Sequence, residues 1–118
     1  MKKFFKGFYF AFNGIKYSFK TQLNFRIHAF LAVLALILSY ILQIAISEWI
    51  WIIAAILLVL IVELINTAIE TLVDLVSPEF NLKAGLIKDI SAAAVLMAAI
   101  FAFLVGCFIL LPKLIHAL

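Results

Sequence analysis

A chain of 118 residues that is 69% hydrophobic and only 13% charged is not an ordinary soluble domain, because it has too little polar surface to cover the core that such a composition would build. The formal net charge is +3, and the presence of a single cysteine, Cys107, excludes an intrachain disulfide. The composition therefore predicts a small integral membrane protein.

The first predicted element is an amphipathic helix over about residues 3–20. At about 100° per residue, six apolar side chains lie on one side of this helix and the lysines lie elsewhere. Such a helix is expected to lie in the membrane interface, where each Lys or Arg near anionic headgroups contributes about 1 kcal/mol. It is either an anchor alone or an element that also takes part in substrate access. The apolar side consists of Phe4, Phe5, Phe8, Phe12, Ile15 and Phe19.

Three apolar segments follow, each of about 20 residues or more, which is the length that a helix needs to cross about 30 Å of hydrocarbon. They cover about residues 27–46, 49–75 and 90–111. The predicted fold is therefore an all-α integral membrane protein with three transmembrane helices and an N-terminal amphipathic surface helix. With no repeat or composition break in the sequence, residues 1–118 are expected to form one domain.

Two prolines mark the expected ends of the later spans. The residue before a proline is pushed out of helical geometry, so Ser77 and Pro78 are expected to end the second span. Pro112, together with Lys113, is expected to end the third span at the opposite interface. Residues 77–88, which include Gly85, would then form the connection between these two spans.

The basic residues are divided unequally between the two sides of the predicted spans. Six of them precede the first span with no acid among them, and Lys83 and Lys88 lie between the second and third spans. Only Lys113 lies on the other side. Because cytoplasmic loops carry an excess of Lys and Arg, the N-terminus is expected in the cytoplasm and the C-terminus outside.

Four polar side chains interrupt the end of the second span, and we call them the polar seam. Their spacing of three, four and four residues places them within an arc of about 80° on one helix face. A carboxylate in a membrane span costs at least about 2.5 kcal/mol on insertion scales, so it normally faces protein or water and has a function. The alternative is a seam that only joins helices to each other. The polar seam consists of Glu63, the deepest, then Asn66, Glu70 and Asp74.

The polar seam, with Lys88 and Asp89 on the next span, suits the chemistry of a divalent cation and a phosphate. Mg²⁺ binds one or two carboxylates plus substrate phosphates, and another carboxylate could take a proton from an attacking hydroxyl. The chain contains no G-x-x-x-x-G-K-[ST] loop, so nucleotide binding would need another architecture. Two other hypotheses are a proton- or cation-coupled transporter subunit and a non-catalytic membrane assembly protein.

Three motifs extend this interpretation: NFRIH at 24–28, ELINTAIETLVD at 63–74 and IKDISAAAVL at 87–96. Together they resemble the bacterial diacylglycerol kinase and undecaprenol kinase family of small integral-membrane lipid kinases, over nearly the whole chain. The resemblance implies a homotrimer in the bacterial inner membrane, with active sites shared between neighbouring chains. It also implies transfer of the γ-phosphate of ATP, with Mg²⁺ as cofactor, to the hydroxyl of undecaprenol or diacylglycerol at the cytoplasmic interface.

The resemblance further implies roles for individual residues. Glu63 would be the general base that activates the lipid hydroxyl, and Asn66 would orient this base and line the site. Glu70 would bind magnesium. Lys88 and Asp89 would contact the nucleotide, Lys88 at its phosphates.

At four more positions the resemblance implies a role less specifically. Gln22 stands where the family usually has a glutamate, so as a second metal ligand it would offer an uncharged amide oxygen. Lys3 and Lys6 fall where family members often carry basic residues near the nucleotide. Asp74 matches a family acid, with a role that is structural or close to the nucleotide.

The mouth of the first span carries Arg26 and His28, for which snorkelling or pairing at the interface is favoured over catalysis. The NFRIH motif and the LLPKL sequence near the C-terminus resemble the undecaprenol kinases more closely than the diacylglycerol kinases. Lipid selection would depend on the shape of apolar grooves, which periodicity does not resolve.

Overall fold

The computed structural model describes all residues, 1–118, and consists of four α-helices with short connections. The helices are α1 (Lys2–Thr21), α2 (Leu23–Ile41), α3 (Ile46–Val76) and α4 (Leu82–Ala117). By length and composition, α2, α3 and α4 are each able to cross a membrane. The prediction of an all-helical fold with three helices of this kind is confirmed.

The corner between α1 and α2 is held by a side chain that satisfies the end of α1. Nη1 of Arg26 donates hydrogen bonds to the backbone carbonyls of Phe19, at 2.7 Å, and of Lys20, at 3.1 Å. These carbonyls lie in the last turn of α1, where a helix lacks its own donors. The rings of Phe19 and Phe25 also meet edge to face, with centroids 5.4 Å apart. The pairing of Arg26 is thus with backbone at a helix end.

At the opposite end of the bundle, residues 42–45 connect α2 to α3. Gln43 has a left-handed backbone with φ of 53°, which helps the chain to reverse direction within four residues. Oε1 of Glu48 accepts a hydrogen bond from the backbone N–H of Ala45 at 2.9 Å and therefore caps α3. Nζ of Lys113 lies 3.4 Å from the same oxygen, so the end of α4 is close to the start of α3.

The connection between α3 and α4 is shorter than the sequence predicts. The expected connection, 77–88, is wrong in its second half, because α4 already begins at Leu82. The reason is Asn81, whose side-chain oxygen accepts hydrogen bonds from the backbone N–H groups of Lys83, at 2.8 Å, and Ala84, at 3.3 Å. Gly85 is consequently a helical residue.

Pro112 does not end α4, since the helix continues through it to Ala117; the end of the third membrane span at Pro112 stays a prediction. A proline lacks the N–H that would bond four residues back, so only the carbonyl of Phe108 loses its usual partner. The helix resumes beyond it, and the N–H of Leu118 bonds to the carbonyl of Leu114 at 3.2 Å. One missing bond near a helix end does not break the helix.

α3 lies against both α2 and α4 and forms the centre of the chain. Few residues are buried, 15 of 118, because a bundle of three long helices has little interior. The apolar part of this interior includes Ile44, Ile52 and Leu110, near the 42–45 connection. Six of the 15 buried residues are polar, so burial here does not simply follow hydrophobicity. They are Ser18, Ser39, Glu63, Asn66, Thr67 and Ser91.

Candidate functional site

The polar seam is buried at one end and exposed at the other. Glu63 is only 1% exposed and Asn66 7%, whereas Asp74 lies on the surface. Helix periodicity keeps one face of α3 against the other helices, so the seam residues toward the middle of the bundle are buried, whereas Asp74, near the end of α3, is exposed. As the sequence predicts, Glu63 is the deepest of the four residues.

The threonines between the seam residues are satisfied by their own helix. The hydroxyl of Thr67 donates to the backbone carbonyl of Glu63 at 3.0 Å, and the hydroxyl of Thr71 donates to the carbonyl of Thr67 at 2.7 Å. Such bonds to the preceding turn are common for threonine in a helix. The hydroxyl hydrogens are therefore engaged with backbone, and the chemistry of the site rests on the carboxylates and amides.

Asn66 and Glu70 form one hydrogen-bonded pair within the seam. Nδ2 of Asn66 donates to Oε1 of Glu70 at 3.1 Å, which fits their separation of four residues on α3. The sequence interpretation has Asn66 orienting Glu63, but the structure directs its N–H group to Glu70. Oδ1 of Asn66 is buried and accepts no hydrogen bond, and the same holds for Oε1 of Glu63. Two buried oxygens at this site thus accept no hydrogen bond within the chain.

Glu63 has a neighbour that the sequence interpretation missed. Nε2 of His28, on α2, lies 3.4 Å from Oε1 of Glu63, and the side chain of His28 is 22% exposed. From the sequence, only an interface role is expected for His28, because the pattern along α2 does not show which residue of α3 it faces. One available signal was that both residues lie in the halves of their spans that face the same side of the membrane.

At the exposed end of the seam, α4 contributes Lys88. Its Nζ lies 2.5 Å from Oδ1 of Asp74, so the seam and the start of α4 meet as the sequence predicts. Both side chains are well exposed, at 39% and 66%, and such pairs contribute about 0–1 kcal/mol. A weak pair can exchange partners, which leaves Lys88 free to contact an anion. Asp89, the next residue, is exposed on α4.

The remaining predicted site residues lie on α1 and at the corner between α1 and α2. Gln22 is at the corner between α1 and α2, where its amide lies 3.5 Å from the hydroxyl of Thr21. Lys3 and Lys6 are exposed near the start of α1. No three His, Cys, Asp or Glu side chains converge on a point that could hold a metal ion. The roles of Glu70 and Gln22 as metal ligands stay predictions.

A large apolar cavity of about 400 Å³ lies between α2, α3 and α4. Its walls include several alanines, among them Ala32 and Ala99, whose small side chains leave the space open. The cavity extends from His28 to Leu110, so it runs lengthwise along the bundle. His28, at one end of this lining, also lies 3.4 Å from the carboxylate of Glu63, so one end of the cavity is close to the buried carboxylate. This arrangement can accommodate a hydrocarbon chain with a polar end near Glu63.

Residues 9–110 match the family model of prokaryotic diacylglycerol kinase. The chain belongs to this family. Its predicted membership is thereby confirmed, and the chain is a membrane lipid kinase of the diacylglycerol and undecaprenol kinase type. The three helices that are long and apolar enough to cross a membrane agree with this assignment.

Individual relatives carry two different names. The undecaprenol kinase of Bacillus subtilis is 38% identical over 114 residues, which cover 97% of this chain and 93% of the relative. The diacylglycerol kinase of Synechocystis sp. is 41% identical over 109 residues, which cover 92% of this chain and 62% of the relative. The diacylglycerol kinase of Escherichia coli is 31% identical over 101 residues, covering 86% and 83%. The family is therefore certain, and the lipid is not fixed by it.

Proposed function

We propose that this protein transfers the γ-phosphate of MgATP to the hydroxyl group of a membrane lipid at the cytoplasmic interface. The observation that carries the proposal is the environment of Glu63, whose carboxylate is buried and accepts no hydrogen bond within the chain. A carboxylate held out of water beside an apolar cavity is suited to accept a proton from a lipid alcohol. The cavity that begins at His28 is suited to the hydrocarbon chain of that alcohol.

In the proposed reaction, the carboxylate of Glu63 takes the hydroxyl proton while the lipid oxygen attacks the γ-phosphorus. An oxygen–phosphorus bond forms, the bond from the γ-phosphorus to the β,γ-bridging oxygen breaks, and ADP leaves with that electron pair. The proton afterwards passes from Glu63 to water. Because phosphoryl transfer depends mainly on positioning, the burial of Glu63 also favours the lipid over water as the attacking group.

The oxygen donors of the Asn66–Glu70 pair fit a magnesium ion. Glu70 supplies a carboxylate, and Asn66 supplies the buried Oδ1 that accepts no hydrogen bond within the chain. Both are the hard oxygen ligands that Mg²⁺ prefers. Gln22 is proposed as a further, uncharged ligand from the family resemblance. When bound, the ion neutralises negative charge on the phosphates.

The nucleotide is proposed to bind at the exposed end of the seam. Lys88 would exchange its weak pairing with Asp74 for the phosphates, where it acts as a point charge. Asp89, exposed next to Lys88, would contact the nucleotide as well. Lys3 and Lys6 are assigned a nucleotide contact by resemblance, which their exposure on α1 permits.

A homotrimer in the bacterial inner membrane is proposed as the working form, with sites shared between chains. Two observations support it: one chain brings no three acidic or histidine side chains together, and much of its apolar surface is exposed. The excess of basic residues supports a cytoplasmic N-terminus and 77–81 connection and an outer C-terminus. In this orientation α1 would lie as an amphipathic helix in the cytoplasmic interface.

Undecaprenol is the first candidate for the lipid and diacylglycerol the second. The match to the undecaprenol kinase covers nearly the full length of both chains, which supports this order. The test is transfer of radiolabelled phosphate from ATP to each lipid, in parallel mixed micelles with saturating Mg²⁺. We expect one lipid to be labelled at least about tenfold faster than the other. No labelling of either lipid would contradict the proposal and favour the transporter and assembly hypotheses instead.

A further inference from the structure

Glu63 has one polar side chain from another helix within reach of its carboxylate. This is His28, whose Nε2 lies 3.4 Å from Oε1 of Glu63. The polar neighbours on α3 are directed elsewhere, since Thr67 donates to the backbone of Glu63 and Asn66 donates to Glu70. No side chain of α4 forms a hydrogen bond or ion pair with Glu63. Whatever holds the carboxylate within one chain must therefore come from α2.

A general base has to present one lone pair to the proton that it removes, within about 2.6–3.2 Å. A carboxylate without a hydrogen-bond donor can rotate about its last bond and share its two oxygens between several directions. A donor fixed on one oxygen removes this freedom and leaves the other oxygen for the substrate. The donor must itself be held by a rigid element, and α2 is such an element.

We propose that His28 is a positioning residue for Glu63, an inference that rests on the proposed role of Glu63 as the base. A neutral imidazole donates its Nε2 hydrogen to Oε1, which leaves Oε2 to receive the proton of the lipid hydroxyl. The distance of 3.4 Å is longer than a typical hydrogen bond. Contacts of catalytic groups are often this long without substrate and shorten when it binds.

The place of His28 in the cavity supports this role. His28 lines the apolar cavity together with Leu31 and Ala32 on α2, so its ring stands where a lipid chain would end. A neutral donor can orient the carboxylate without cancelling the negative charge that accepts the proton. A lysine or arginine at this position would form a buried ion pair and compete for that charge.

The test compares two substitutions of His28 in the full chain. His28→Leu fills the place of the imidazole in the cavity with an apolar side chain and removes the donor, whereas His28→Gln retains an N–H group. We expect His28→Leu to lower kcat for lipid phosphorylation about 100-fold, with the KM for ATP unchanged, because small misplacements of a reacting group cost about this much. His28→Gln should keep kcat within about fivefold of the wild type.

His116→Leu is the matched control, since His116 is the other histidine of the chain and lies exposed near the C-terminus. It should leave kcat unchanged. In a Glu63→Gln background, His28→Leu should cause no further loss, because residues that act as a unit are not additive. An undiminished kcat in His28→Leu would overturn the proposal. So would an equal loss in a folded His28→Gln, because that would show that the N–H group is not what matters.

A second readout does not depend on activity. With ¹⁵N-labelled histidine in detergent micelles, the chain gives signals from His28 and His116 only. We expect the Nε2 signal of His28 to move on Glu63→Gln, while the signals of His116 stay in place. Unmoved His28 signals would overturn the pairing. A wild type that labels no lipid would instead defeat the proposed function, while the spectra still report whether the two side chains are in contact.

Discussion

The two halves of α3 share one helical geometry and one buried face, but they bury opposite kinds of residue. All the buried residues of the N-terminal half are apolar, whereas three of the four in the C-terminal half are polar. In chain order they are Ile52, Ala55, Val59, Glu63, Asn66, Thr67 and Val73. Helix periodicity keeps the same face covered along its length, so a sequence can change the role of that face from packing to chemistry without changing the fold.

The largest expected effect comes from the polar half. Glu63→Gln should lower lipid phosphorylation by about 100- to 10,000-fold, the usual contribution of a general base, with the thermal unfolding temperature in detergent nearly unchanged. The control is Glu48→Gln, the same change on the same helix at the opposite end of the bundle. Glutamine can still cap α3 there, so activity should persist. Equal losses of activity in both variants would show that the two halves of α3 do not differ in function.

The apolar half should show the reverse behaviour. Ile52 is 3% exposed and packs against Leu110 and Ile44, so Ile52→Ala should lower the free energy of unfolding by about 2 kcal/mol or more. The kcat of the folded fraction should stay close to the wild-type value. Ile53→Ala is the control, because Ile53 is 45% exposed and its truncation leaves no cavity. A large fall in kcat without loss of stability would place chemistry in this half as well.

Magnesium dependence should distinguish Glu70 from the acids around it. Glu70→Gln removes the carboxylate charge while keeping the side-chain shape, so the Mg²⁺ concentration for half-maximal activity should rise about tenfold or more. Glu79→Gln, in the exposed 77–81 connection, should not change it. A titration of activity against Mg²⁺ at fixed ATP measures both. An unchanged requirement in Glu70→Gln would exclude Glu70 as a ligand.

The smallest expected effect lies at the exposed end of the seam. Asp74→Asn removes the pairing of Asp74 with Lys88, but both side chains are well exposed, so the free energy of unfolding should fall by less than about 1 kcal/mol. The difference from wild type should shrink further as salt is added. A loss above about 2 kcal/mol, measured by unfolding in detergent, would show that this pair holds α3 to α4.

The sequence predicts the helices and the seam because both depend on local patterns. Three apolar segments of sufficient length specify the long helices, and the spacing of Glu63, Asn66, Glu70 and Asp74 places them on one face whatever surrounds them. The burial of Glu63 at the deep end follows from the same pattern. These features need no knowledge of which helix lies next to which.

The features that the sequence did not predict depend on contacts between distant positions or on single capping groups. Asn81 caps α4 through two hydrogen bonds from backbone N–H groups, so this helix begins earlier in the chain than the apolar segment does. The length of an apolar segment does not indicate such a cap. The meeting of His28 with Glu63 depends on the rotation of α2 about its own axis, which hydropathy leaves undetermined. The ligand roles of Gln22 and Glu70 stay predictions, because they depend on a bound ion and on how the groups around it are arranged.

The most direct measurement is the shift in melting temperature that Mg²⁺ and a non-hydrolysable ATP analogue produce in purified Glu63→Gln. If Glu63 is the base and not a metal or nucleotide ligand, the shift should equal that of the wild type even though phosphate transfer is lost. A wild-type shift with no transfer would place Glu63 at the lipid hydroxyl. A shift that disappears with the carboxylate would contradict this, and Glu63 would then belong to the magnesium–nucleotide site.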